Sequence, residues 1–105
     1  MTSSASTRGT FLVPEWFISD HDRVRRLGKA IGFLLQLYRH ADEATGSGAV
    51  SLAEYARRAN IPYRSVQRYR ETLAALGEVT FTEVHTGRSA HLAYRLTDYP
   101  VEGAL

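Results

Sequence analysis

Apolar residues recur at Val24, Leu27, Ile31, Leu34, Leu35 and Tyr38, in steps of three, four, three, one and three. Those steps return to one face of an α-helix and predict a helix from about Asp20 to about Glu43. Ser19 followed by Asp22 resembles a capping box, with acids at the positive helix end. Gly28 and Gly32 lie four apart inside this helix. Each costs about 1 kcal/mol relative to alanine in a helix interior, and the pair suits close approach of another helix. Thr45-Gly46-Ser47-Gly48 then predicts a flexible loop. Ser51-Leu52-Ala53-Glu54 is a stronger capping box and opens a short second helix to about Ala59. Asn60 suits the left-handed residue that ends it, and Pro62 the start of a third helix. Val66, Tyr69, Leu73 and Leu76 give that third helix an inward face, and Gly77 closes it.

Beyond Gly77 the period changes from helical to alternating. Val79 and Phe81 alternate on one arm of a hairpin, and Leu92, Tyr94 and Leu96 on the other. Gly87-Arg88 sits midway and suits a two-residue turn with glycine first. That register pairs Phe81 with Tyr94 and Val79 with Leu96, so that the apolar side chains share one face. The order is helix, helix, helix, hairpin: a mainly α chain with a small β-hairpin.

The ends lack a period. Residues 1–10, MTSSASTRGT, read as a flexible tail, and residues 99–105 as a second. Phe11-Leu12-Val13 before Pro14 reads as a short extended piece. Trp16-Phe17-Ile18 reads as a lid over the first helix or, more sharply, as a dimer contact shared with the Gly28/Gly32 face. A domain is thus expected over 11–98. The chain has 105 residues, 44% hydrophobic and 23% charged, which is one ordinary globular domain. It has no cysteine, which excludes a disulfide scaffold, a thiol nucleophile and any Cys-bearing zinc finger. No apolar run exceeds four residues and no signal peptide opens the chain, so a cytoplasmic, nucleoid-associated protein is expected.

Charge changes this picture. The net charge is +2, but between Arg57 and Arg70 there are five arginines (57, 58, 64, 68 and 70) and no acid. The rest of the chain carries eight basic and eleven acidic groups, a net of −3. One strongly basic stretch in a mildly acidic protein points to an anionic partner, and nucleic acid is the usual one; a solvated helix face is the plainer alternative.

Leu52–Glu71 has the internal spacing of two helices crossing steeply through a tight turn. Ala56 is the small residue at the crossing, Asn60 the turn residue tolerant of positive φ, and Ile61 the apolar plug behind it. Here the chain resembles a known family. SLAEYARRANIPYRSVQRYRETLAALGEV looks like the helix-turn-helix of winged-helix DNA-binding domains, and TFTEVHTGRSAHLAYRLT like their β-hairpin wing. VPEWFISD and GKAIGFLLQLYRHAD resemble the N-terminal winged helices of plasmid and phage replication initiators and of many bacterial regulators. Asn60 replaces the glycine usual in the turn, and Pro62 the usual serine or threonine. The resemblance implies a winged helix-turn-helix with a three-helix core plus wing. It implies sequence-specific binding to double-stranded DNA, with a recognition helix at about 62–76 in the major groove and a wing at about 79–97. Such a protein would be a transcription regulator or a replication or partition factor. A winged helix used for protein–protein interaction, without DNA readout, is the alternative.

On that fold, removing the core positions leaves Tyr63, Arg64, Ser65, Gln67, Arg68 and Glu71 on the outward face of the third helix. Arginine can grip guanine O6 and N7, and glutamine adenine N6 and N7, each through two hydrogen bonds. Arg64, Gln67 and Arg68 are therefore expected on base edges. Tyr63 and Ser65 are expected on phosphate, Arg57, Arg58 and Arg70 on the backbone, and Arg88 in an adjacent minor groove. A single such helix reads few base pairs, so a homodimer is expected. The four histidines are scattered: His40 with Glu43, and His85 with His91 across the wing, lack a third ligand. No metal, cofactor or small-molecule ligand is expected. Nor is a catalytic site, since no nucleophile turn or phosphate-binding glycine loop appears.

Overall fold

A computed structural model describes residues 13–86 and 89–99. The expected tail at 1–10, the start of the extended piece at Phe11 and Leu12, the turn at Gly87-Arg88 and residues 100–105 lie outside the described residues. Within them run α1 (Trp16–Ser19), α2 (His21–Leu27), a 3-10 turn (Gly28–Ala30), α3 (Ile31–His40), β1 (Ser47–Val50), α4 (Leu52–Ala59), α5 (Tyr63–Ala75), β2 (Val79–Thr86) and β3 (Ser89–Leu96). The helices pack with a three-stranded antiparallel sheet in the order β1-β3-β2, a mixed α/β domain. No described helix is long and apolar enough to cross a membrane.

The long first helix is not continuous. Gly28 has φ 54° and ψ −132°, a conformation closed to residues with a Cβ. It ends α2, and the 3-10 turn restarts the chain as α3. The break resets the helical phase. Beyond it the buried residues are Ala30, Phe33, Leu34, Leu37 and Tyr38, whereas a continuous helix would bury Ile31, Leu34, Leu35 and Tyr38. A Cβ added at Gly28 or Gly32 would meet nothing within 4 Å, so among the described residues no helix closes on the pair; Gly28 is the break between two helices. The capping residue also differs. Asp20, not Ser19, caps α2 by accepting from the Arg23 amide at 3.0 Å, and Ser19 Oγ donates to the Glu15 carbonyl.

The hairpin register is the one its alternation predicts, with Val79 opposite Leu96 and Phe81 opposite Tyr94. Pairing continues to Thr86 opposite Ser89, which leaves a two-residue connection. The sheet, however, has a third strand where a flexible loop was expected, which corrects both the loop and the lone hairpin. Residues Ser47–Val50 pair with Leu92–Arg95 of β3. Gly48 makes this possible: its partner across the ladder is Tyr94, whose hydroxyl would lie 2.6 Å from any Cβ at 48. The tyrosine instead crosses the glycine and donates to the Leu37 carbonyl at 2.7 Å, satisfying one of the carbonyls left open at the end of α3.

Leu27, Phe33, Leu34, Leu37, Tyr38, Leu52, Ala56, Val66, Leu73, Val79, Leu92, Tyr94 and Leu96 form one buried cluster that joins α2–α5 to the sheet. Trp16 and Phe17 pack on it, Phe17 edge-on to Tyr38 at 5.5 Å, as a lid requires. Ile18 is 78% exposed and is not part of that lid. Tyr99 is not tail: its ring stacks on Tyr38 at 5.8 Å and packs against the core.

Candidate nucleic-acid interface

Ser51 begins the site. Its extended backbone and its Oγ, accepting from the Glu54 amide at 3.2 Å, start α4. After the eight residues of Leu52–Ala59 the helix closes on Asn60 at φ 58° and ψ 47°. The Asn60 amide donates to the Arg57 carbonyl, and the Ile61 amide to the Ala56 carbonyl. This is a Schellman motif with asparagine as its left-handed residue. Ala56 is buried and Ile61 packs against the core. The second helix starts after Pro62, whose carbonyl accepts from the Ser65 and Val66 amides. It ends in another Schellman motif, with Gly77 bonded to Ala74 and Glu78 to Leu73. That ending turns Leu76 outward, 39% exposed, so the expected inward role of Leu76 is not met.

Val66 and Leu73 are fully buried and Tyr69 half-buried, which fixes the rotation of α5. At about 100° per residue, Arg64, Arg68 and Glu71 fall in a narrow arc on the opposite side, with Gln67 at its edge. All four are exposed. Among the described residues no carboxylate engages Arg64 or Arg68.

The other candidate residues differ in their surroundings. Arg57 and Arg58 are exposed on α4, and both donate to Glu54 Oε2, at 2.9 and 3.1 Å. Glu54 lies just outside the acid-free stretch and offsets part of its charge. Arg70 is half-buried and belongs to the packing of α5 on the sheet, its guanidinium 5.7 Å from the centre of the Phe81 ring. Ser65 is half-buried. Tyr63 is 49% exposed and lines a groove of about 210 Å³ with Ser51, Leu52, Arg70, Glu83 and His91. His91 stands opposite Val84 in the ladder, and His85 opposite Ala90, so the two histidines are not cross-strand partners. Arg88 lies outside the described residues.

A cluster away from this face had no signal in the sequence. The Arg23 guanidinium donates from Nε to Glu78 Oε2 at 2.6 Å and from Nη2 to Glu78 Oε1 at 2.8 Å. Nη2 also reaches Asp98 Oδ2 at 2.7 Å, and the group stacks 3.7 Å over Trp16. Glu78 is buried at 4% exposure. Its two hydrogen bonds hold the arginine well above its usual range, and burial works against them. Residues 16, 23, 78 and 98 share no local spacing, so only the fold brings them together.

Compared with known proteins, the chain matches no family model, no curated protein and no solved structure.

Proposed function

We propose that this chain is a winged helix-turn-helix protein that binds double-stranded DNA. α4 and α5 are its helix-turn-helix and β2–β3 its wing. The observation that carries the reading is the outer arc of α5. Two arginines and a glutamine project from a helix whose rotation is fixed by Val66 and Leu73, and among the described residues no carboxylate forms an ion pair with either arginine. Arginine and glutamine are the side chains that read guanine and adenine in the major groove. Arg57 and Arg58 lie one helix away, where contacts to phosphate position rather than specify. A transcription regulator or a replication or partition factor is the corresponding role.

A single α5 spans only a few base pairs, so a second copy on adjacent DNA supplies the remaining specificity. Light scattering of the DNA-bound protein is expected to give two copies per site.

The direct test is duplex affinity against salt. Three or four phosphate contacts give a slope of log K on log salt of about −3 to −4 per protomer. Affinity that does not change between low and physiological salt overturns the reading.

A further inference from the structure

Glu71 sits in the outer arc of α5 with Arg64 and Arg68, exposed and held by no cation among the described residues. A carboxylate on a face that meets a polyanion is unfavourable unless it finds a donor. In the major groove the base donors are cytosine N4 and adenine N6, and aspartate or glutamate characteristically accepts from cytosine N4.

We propose, resting on the DNA-binding reading above, that this face reads a G·C-rich segment and that Glu71 is its specificity-determining residue. Arg64 and Arg68 each take the O6 and N7 of a guanine. Glu71 accepts from a cytosine N4, and it repels any pair that presents an acceptor at that place.

The spacing along the helix sets the register. At about 1.5 Å per residue, Arg68 is about 6 Å and Glu71 about 10.5 Å beyond Arg64. Duplex DNA rises about 3.4 Å per pair, so these distances match two and three base steps. G·C pairs are therefore expected at the first, third and fourth of four consecutive positions. The same carboxylate weakens contact with the backbone in general, so it acts chiefly by excluding wrong duplexes.

The experiment is selection of bound duplexes from a random pool, with the full chain and with its Glu71→Gln and Glu71→Ala variants, followed by affinity for the selected site. Glu71 is exposed, so neither variant disturbs the core. The wild-type pool is expected to carry the three G·C pairs. Replacing a contacted guanine by 7-deazaguanine, which lacks N7, is expected to weaken binding about tenfold. Glu71→Gln is expected to move the preference at the fourth pair towards A·T. Glu71→Ala is expected to leave that pair unread while keeping the other two. A wild-type pool rich in A·T, or identical pools for all three proteins, overturns the proposal while salt-sensitive binding leaves the DNA reading standing. Absence of salt-sensitive binding to any duplex overturns the reading itself, and the proposal with it.

Discussion

Glu54 is the residue at which charge counting and geometry part. Counted along the chain, Arg57 and Arg58 belong to a block of five arginines without an acid. In space one carboxylate oxygen takes both. Exposed pairs of this kind are worth about 0.2–1 kcal/mol each, so the restraint is weak and DNA phosphate can displace it. Glu54→Gln removes a negative charge from the same surface and frees both guanidinium groups. Affinity for a mixed-sequence duplex is expected to rise by about two- to fivefold, with a salt slope steeper by about one. Titration of the variant and the parent over a range of salt checks this; equal slopes would mean that α4 does not meet the backbone. At this scale the sequence is legible where a residue answers only to its near neighbours along the chain. Asn60 adopts the left-handed conformation and Ser51 caps its helix because each answers to neighbours one turn away. It was not legible for Arg70, whose place against Phe81 depends on how α5 meets the sheet.

The crossing of α4 and α5 depends on one small side chain. Ala56 is 6% exposed, and its carbonyl takes the amide that closes the turn. Ala56→Leu puts three more carbon atoms where the helices meet, and overpacking of this kind costs about 1–3 kcal/mol. A lower melting temperature is expected, together with weaker DNA binding because α5 is tilted off its axis. Unchanged melting and binding would place the crossing elsewhere. Elements with a strong period could be read in advance: both helices of this pair and the register of β2 with β3. β1 could not, because Ser47-Gly48-Ala49-Val50 has neither alternation nor bulk. Its strand exists because β3 offers a free edge and Gly48 makes room for Tyr94. The break at Gly28 was hidden for a related reason. The apolar steps continue across it, and only the positive φ reveals that two helices share them.

Two tertiary features add to the apolar core in tying distant elements together, and neither is local in sequence. Arg23 ties α2 to the corner after α5 and to the residue pair beyond β3. Removing it leaves the buried Glu78 charge without its partner. Such losses run to about 3–5 kcal/mol for fully buried pairs, and with Arg23 about a fifth exposed a loss of about 2–4 kcal/mol is expected for Arg23→Ala. Glu78→Gln in the same chain removes the stranded charge and is expected to recover part of that loss in a urea titration. The second feature is a pair of buried tyrosines. Burial pushes the Tyr94 hydroxyl up to about 12, and its proton is the one given to the Leu37 carbonyl. Tyr38 is pushed up as well, chiefly by burial and then by the nearby charges of Glu78 and Asp98. Both groups therefore keep their protons in the folded chain at a pH where the unfolded chain, with tyrosines near 10, has lost them. The unfolded state then binds fewer protons, so stability falls as pH rises. Their contribution is complete below about pH 10 and, for Tyr94, is lost between about 10 and about 12, at up to about 1.4 kcal/mol per pH unit for each tyrosine. Tyr94→Phe separates packing from titration. It is expected to be less stable than the parent at pH 8, since the Leu37 carbonyl loses its donor at a cost of about 1 kcal/mol. It is also expected to decline less steeply above pH 10, since one titrating group is gone. Urea midpoints of both proteins from pH 8 to about pH 11.5 check the two effects together. Parallel curves above pH 10 would show that Tyr94 does not hold its proton through the core.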